Sequence, residues 1–238
     1  MKCAIDSRRL VILTTLVLAL AGCDDGAPPT PKAEPGASKK AVLGKNVSLE
    51  IQGDRRRVLI QGHVCLREGQ LEHLMCLVDT KEHEAIIAAD CDARVIHAAL
   101  EAAGAKAGSP VRWEPKFQPP TGTPVRISIQ YEKDGEVVTV PARDWIRHVR
   151  TKKNLDVDWV FAGSQLIRNP NNPQGPPFYR GNEGDVICVI NRDNAVLDLP
   201  IYSPKALDDR IFEAHTDRIP PLKTKVVVIL EPIREEKK

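Results

Sequence analysis

The strongest constraint on the fold is an apolar run that the folded protein is not expected to keep. Lys2, Arg8 and Arg9 precede Leu10–Leu20, a stretch interrupted only by Thr14 and Thr15, and the run closes on Leu20-Ala21-Gly22-Cys23. At about 11 residues it is too short for a hydrocarbon core that needs about 20. It has the length of a signal-peptide core, and small residues leading into a cysteine form a lipobox. Residues 1–22 are therefore expected to be a removed lipoprotein signal peptide, with Cys23 the lipidated residue. Each buried methylene contributes roughly 0.8 kcal/mol, so two or three acyl chains hold a protein on a bilayer durably. The expected partner is a membrane, reached through that lipid anchor. The expected location is the cell envelope, facing the periplasm or exterior. Asp24 fits the inner-membrane retention rule of enteric bacteria, and Ser7-Arg8-Arg9-Leu10-Val11 holds part of a twin-arginine pattern without its Phe. An ordinary secretory signal with a chance cysteine is the alternative.

Residues 23–44 read as a tether. Pro28, Pro29, Pro31 and Pro35 fall among Gly26, Gly36 and small polar residues, with no apolar period to bury. In extended polyproline form the 17 residues from Asp24 to Lys40 reach about 50 Å. The globular domain is assigned to residues 45–238, of which about 190 form the compact part, enough for one domain with a substantial core. The composition is not that of a nucleic-acid binder: over the whole chain, 34 basic against 32 acidic residues leave a net charge of +2 and no broad basic field. Arg55-Arg56-Arg57 reads as the solvated start of a strand.

Within this domain the clearest element is a hairpin. Ile127, Ile129 and Tyr131 alternate with polar residues, and Asp134-Gly135 makes a type I′ turn. A two-residue loop sets Tyr131 opposite Val138 and Ile129 opposite Val140, so the apolar faces coincide. Val58–Leu66 and Leu71–Val78 read as a second hairpin around Glu68-Gly69. Further strands are expected at Asp158–Ile167, Asp185–Ile190 and Lys225–Leu230, with Val226–Ile229 buried on both faces. One helix is capped by Asp92, carries Ile96, Ala99, Leu100 and Ala103 as its stripe, and stops at Gly104. A shorter helix is expected over Ala142–Val149 with Trp145 inward. The Asn-, Pro- and Gly-rich stretch Arg168–Gly184 is either a functional loop or a surface insertion. Together these predict an α+β domain: a largely antiparallel sheet with one or two packed helices.

Candidate chemistry gathers between His63 and His97, which also hold Cys65, Glu72, His73, Cys76, His83, Glu84 and Cys91. The Glu68-Gly69 hairpin would put Cys65 opposite Glu72, with Cys76 and His63 on the same side. Such a His/Cys/Glu pocket suits zinc or copper, which take imidazole and thiolate. No Cys-x-x-Cys, His-x-x-His or His-Glu-x-x-His spacing supports it. Buried thiols, a disulfide between two of Cys65, Cys76, Cys91 and Cys188, and a cysteine nucleophile compete with it. Asp79–Glu84 reads as one helical turn capped by Asp79 or Thr80. It is either a solvated turn or a histidine between glutamates suited to acid–base work.

Several blocks resemble the YdjY-like domain of bacterial exported proteins and lipoproteins. They include Leu66-Arg67-Glu68-Gly69-Gln70-Leu71-Glu72, Cys76, Thr80-Lys81-Glu82-His83-Glu84 and Ile96-His97-Ala98-Ala99-Leu100 with Gly104. Further on are Asp144-Trp145-Ile146, Thr151-Lys152-Lys153, Asp158–Ser164, Gly184–Val189, Leu197–Ile201 and Arg218-Ile219-Pro220-Pro221. The similarity runs from about Val58 to Val228. It brings no activity with it, and the clustered cysteines of a ferredoxin are missing. It narrows a shared ligand or metal site to Glu72, Cys76, His83, Glu84 and His97, leaving His63, Cys65, His73 and Cys91 outside the pattern. Two functions then stand against each other. One is a non-enzymatic binding or assembly module of the envelope, with protein partners there. The other is a metal or redox protein using the His/Cys/Glu set.

Overall fold

The computed structural model describes residues 38–168, 171–204 and 211–233. The expected signal peptide, Cys23 and most of the tether lie outside them. In chain order the strands are β1 (Lys39–Gly44), β2 (Val47–Gln52), β3 (Arg55–Val64), β4 (His73–Leu77) and β5 (Ala85–Ala89), followed by helix α1 (Ala93–Ala102). Then come β6 (Pro124–Lys133), β7 (Glu136–Pro141), β8 (Ile146–His148), β9 (Trp159–Phe161), β10 (Leu166–Ile167) and β11 (Phe178–Tyr179). The last are β12 (Ile187–Cys188), β13 (Leu197–Asp198), β14 (Phe212–Ala214) and β15 (Lys225–Pro232). β1, inside the stretch expected to be tether, pairs antiparallel with β2.

Eight strands close into a barrel, in the order β3-β15-β6-β9-β13-β12-β4-β5, and β5 pairs back onto β3. This corrects the expected α+β class. The described residues hold one α-helix, and the protein is mostly β. The sequence shows each strand's own period but not which strands pair, and closure depends on pairings far apart in sequence. Val58–Leu66 and Leu71–Val78 do not form a hairpin: β5 lies between β3 and β4, antiparallel to one and parallel to the other. Where β3 meets β5, a side chain at Gly62 would stand 2.7 Å from the Ala88 carbonyl oxygen, so glycine permits the closing contact.

In-register rows fill the core. Ile60 faces Val228, which faces Ile129, and Val58 faces Leu230, which faces Ile127. All six are essentially inaccessible, and fully burying each such side chain contributes roughly 1.5–3 kcal/mol. β2 extends the same face, with Val47 opposite Ile60 and Leu49 opposite Val58. Helix α1 lies along β2 and β3, and Ile96, Ala99, Leu100 and Ala103 join the same cluster.

The β6–β7 hairpin has the expected register, Tyr131 to Val138 and Ile129 to Val140. Asp134 and Gly135 both take positive φ, as a type I′ turn requires. Asp92 caps α1 through Arg94 N–H, and Gly104 ends it at φ +96°. The second expected helix is a 3₁₀ turn, Ala142–Trp145, that runs straight into β8. The expected strand over Asp158–Ile167 is split into β9 and β10, and β12 is only Ile187–Cys188. Among the described residues no helix is long and apolar enough to cross a membrane.

Candidate functional site

β4 and β5 are buried along their full lengths, yet the start of β4 carries charge. Glu72 and His73 are 1% and 0% exposed. The Glu72 amide donates to the Glu84 carbonyl at 3.0 Å. Glu84 ends the 3₁₀ turn Glu82–Glu84 and leads into β5, so the parallel pairing of β4 with β5 brings Glu72 and Glu84 to one place. β12 pairs with β4 on the other side, Cys188 to His73, and carries Asp185 in from just before its start. The loop after β12 delivers Arg192.

The resulting contacts are dense. His73 Nε2 lies 2.9 Å from Asp185 Oδ1. Arg192 Nη2 donates to Glu72 Oε2 at 2.7 Å, and its Nε sits 3.1 Å from Asp185 Oδ1. Asn194 Nδ2 donates to Asp185 Oδ2 at 2.8 Å. Lys81 Nζ stands 3.8 Å from Asp185 and 4.0 Å from Glu84. Placing charges out of water costs several kcal/mol each unless they are paired, and here cations sit among the carboxylates.

The protonation states follow from the surroundings. Burial pushes the His73 imidazolium pKa down, against its Asp185 partner and helped by Arg192 and Lys81. Burial alone would raise the Asp185 carboxyl, but the His73 hydrogen bond, Arg192 and Lys81 hold it below the ordinary carboxylate range. A neutral His73 facing an ionised Asp185 carries its proton on Nε2 and donates it. Nδ1 is then a bare lone pair, and this fully buried atom has no hydrogen-bond partner. A ring nitrogen of His73 and carboxylate oxygens of Glu72 and Glu84 all lie within 4.8 Å of one another. A carboxylate that fixes one imidazole nitrogen and leaves the other as a lone pair is the usual arrangement behind a metal-binding histidine. His73, Asp185 and Cys188 form a second close group, but burial, with Asp185 and Asp198, holds the Cys188 thiol protonated.

The structure divides the five residues expected to share a site. Glu72 and Glu84 meet in this cluster. His83 points outward, its side chain 77% exposed and Nε2 3.9 Å from Glu84 Oε2. Its turn is capped from Lys81 without a side-chain cap bond, rather than from Asp79 or Thr80. Cys76 is buried with Ala85 and Ala88, with Cys65 packed against them, and the groups that shift its thiol, Cys65, the Lys81 amide, Thr80 and Glu82, include no histidine. His97 lies elsewhere on α1. Its Nδ1 is 2.9 Å from Tyr179 Oη, which itself donates to the Gly163 carbonyl at 3.0 Å. His97 Nδ1 is therefore the donor, and Nε2 is left 3.6 Å from Glu101. Together with Tyr179, Ser164, Ala107 and Leu166 it lines a pocket of about 450 Å³. A larger depression, about 590 Å³, runs over the outer face of β3, β15 and β6 past His63. It lacks a buried titratable cluster of the kind at His73.

His73, Asp185 and Arg192 are the members sequence reasoning missed. The available signal was a charge inside an apolar run: His73 between Leu71 and Leu77, and Asp185 before Val186–Ile190.

The fold and site define a closed β-barrel domain with a buried His–carboxylate cluster at one strand start. The chain belongs to the YdjY domain family, whose model matches residues 49–231. No curated protein and no solved structure matches the chain.

Proposed function

We propose that this chain is an envelope lipoprotein that binds a divalent transition-metal ion through His73, Glu72 and Glu84. The carrying observation is a buried His73 ring with one nitrogen held by Asp185 and the other without a hydrogen-bond partner, in a group where a His73 ring nitrogen and oxygens of Glu72 and Glu84 lie within 4.8 Å of one another. One imidazole and two carboxylates suit zinc, with copper the competitor. Asp185 orients the imidazole, and Arg192 and Lys81 balance the carboxylate charge. Glu84, Lys81 and Arg192 keep 13%, 22% and 13% of their side-chain surface, which gives an ion a route in. The lipobox supplies the address: Cys23 carries the acyl anchor and the barrel is displayed outside the cytoplasm.

The deciding experiment is elemental analysis of the protein purified without chelator, followed by zinc titration of the chelator-stripped protein. One bound metal per chain, and saturable zinc binding that His73→Ala weakens by ~100-fold or more, is expected. Absence of metal together with no zinc binding at micromolar concentration overturns the site. Fatty-acid labelling that disappears in Cys23→Ser tests the anchor.

A further inference from the structure

We infer that Cys65 and Cys76 form a reversible disulfide that ties the end of β3 to β4 across the closing seam of the barrel. The described chain has four thiols, at Cys65, Cys76, Cys91 and Cys188. Cys91 packs at the main core and Cys188 is fully buried within β12. Cys65 and Cys76 share one small cluster with Ala85 and Ala88, separate from the main core.

Strand order explains the meeting. β5 lies between β3 and β4, with Ala88 facing Cys76 on one side and His63 on the other. Cys65 follows β3 directly, and its amide donates to the Ile86 carbonyl at 2.9 Å. Its sulfur is 3.0 Å from the Ala85 carbonyl oxygen, and its side chain packs against the buried cluster that holds Cys76. The two thiols thus converge over β5 at its alanines, whose methyl groups leave the room. Cys76 is wholly buried, whereas Cys65 keeps partial solvent access. The Cys76 thiol is pulled below its ordinary pKa by Cys65, against its own burial, and by the Lys81 amide and Thr80.

Access sets the order of events, because Cys76 is buried and an external disulfide reaches only Cys65. The Cys65 thiol, held above its ordinary pKa by Cys76 and by burial, gives up its proton as it attacks an external disulfide, forming a mixed disulfide and expelling one thiolate. Cys76 then attacks the Cys65 sulfur, forming the Cys65–Cys76 bond and expelling the second. Two cysteine thiols are oxidised, one external disulfide is reduced to two thiols, and the two cysteine protons pass to the departing thiolates.

The test is equilibration of the purified full-length protein with mixtures of reduced and oxidised glutathione, followed by alkylation and a non-reducing peptide map. The expected map shows one peptide linking Cys65 to Cys76 and a mass lower by two hydrogens, reversed at high reduced glutathione. Cys76→Ser should hold glutathione stably on Cys65, whereas Cys65→Ser should leave Cys76 unmodified in the native protein. Zinc binding by Cys65→Ser at wild-type affinity keeps this outcome separate from the metal site. A map in which Cys65 and Cys76 stay free or separately glutathionylated at every ratio overturns the inference, as does a link to Cys91 or Cys188.

Discussion

Two histidines of this barrel are held in similar ways but stand in different surroundings. His73 and His97 each have one ring nitrogen fixed by a neighbour, Asp185 in one case and Tyr179 in the other. His73 sits at the start of a fully buried strand among carboxylates, so its second nitrogen is desolvated and bare. His97 sits on an amphipathic helix with its ring 24% exposed, and its second nitrogen has water and Glu101 in reach. A buried lone pair that water cannot reach carries a desolvation cost that a bound ion would relieve. The surroundings, not the residue type, separate the proposed metal site from a pocket wall.

The widest separation between the two comes from deletion. His73→Ala is expected to weaken zinc binding by ~100-fold or more, read by calorimetric titration, while His97→Ala leaves it unchanged. Equal losses in both variants would dissolve the distinction. Next is the orienting partner. Asp185→Asn removes the carboxylate behind His73 and should weaken zinc by about 10–100-fold, whereas Tyr179→Phe should leave the titration as it was. A wild-type titration for Asp185→Asn would show that Asp185 does not orient the ligand.

Smaller effects belong to the His97 side. Tyr179→Phe removes a hydroxyl bonded to both His97 and the Gly163 carbonyl, at a cost of about 1 kcal/mol in urea unfolding. A cost near zero would mark those bonds as incidental. The helix that carries His97 is capped by Asp92, and Asp92→Ala should cost about 1 kcal/mol. Arg94, with Asn182 and against partial burial, pulls the Asp92 carboxyl down to about 2 from 3.8. A depressed carboxyl contributes stability above its unfolded value and loses it as pH falls through the folded one. The gap between wild type and Asp92→Ala should therefore hold at neutral pH and narrow as pH falls from 3.8 toward about 2. A gap that stays constant over that interval would count against an ionised cap.

How much of this was legible in the chain depends on the range of each interaction. The β6–β7 register, the Asp92 cap and the Gly104 stop are set by neighbours a few residues away, and each stands as its residues predict. The Glu68-Gly69 hairpin fails because β5, a dozen residues later, inserts between the two strands and takes both as partners. That insertion also remakes the site: it trades the expected pairing of Glu72 with Cys65 for one with Glu84, and leaves Cys65 to meet Cys76 over two alanines. The resemblance gathers His83 and His97 into one site and leaves His73 outside it, whereas the structure sets His83 at the surface, His97 beside Tyr179 and His73 in the buried cluster. A pattern of residue types along a chain carries no distances, so it does not separate them.

The sequence by itself determined the strand periods, the one helix with its caps, the hairpin turn and membership in the YdjY family, because these rest on local backbone preferences and residue order. Only the tertiary structure decided that the strands close into a barrel. It alone brought Glu72, His73, Glu84, Asp185 and Arg192 together and left one imidazole nitrogen bare. Those outcomes arise from pairings between β4, β5 and β12, segments up to about a hundred residues apart, which the free energy of the whole closed sheet selects and no local pattern encodes.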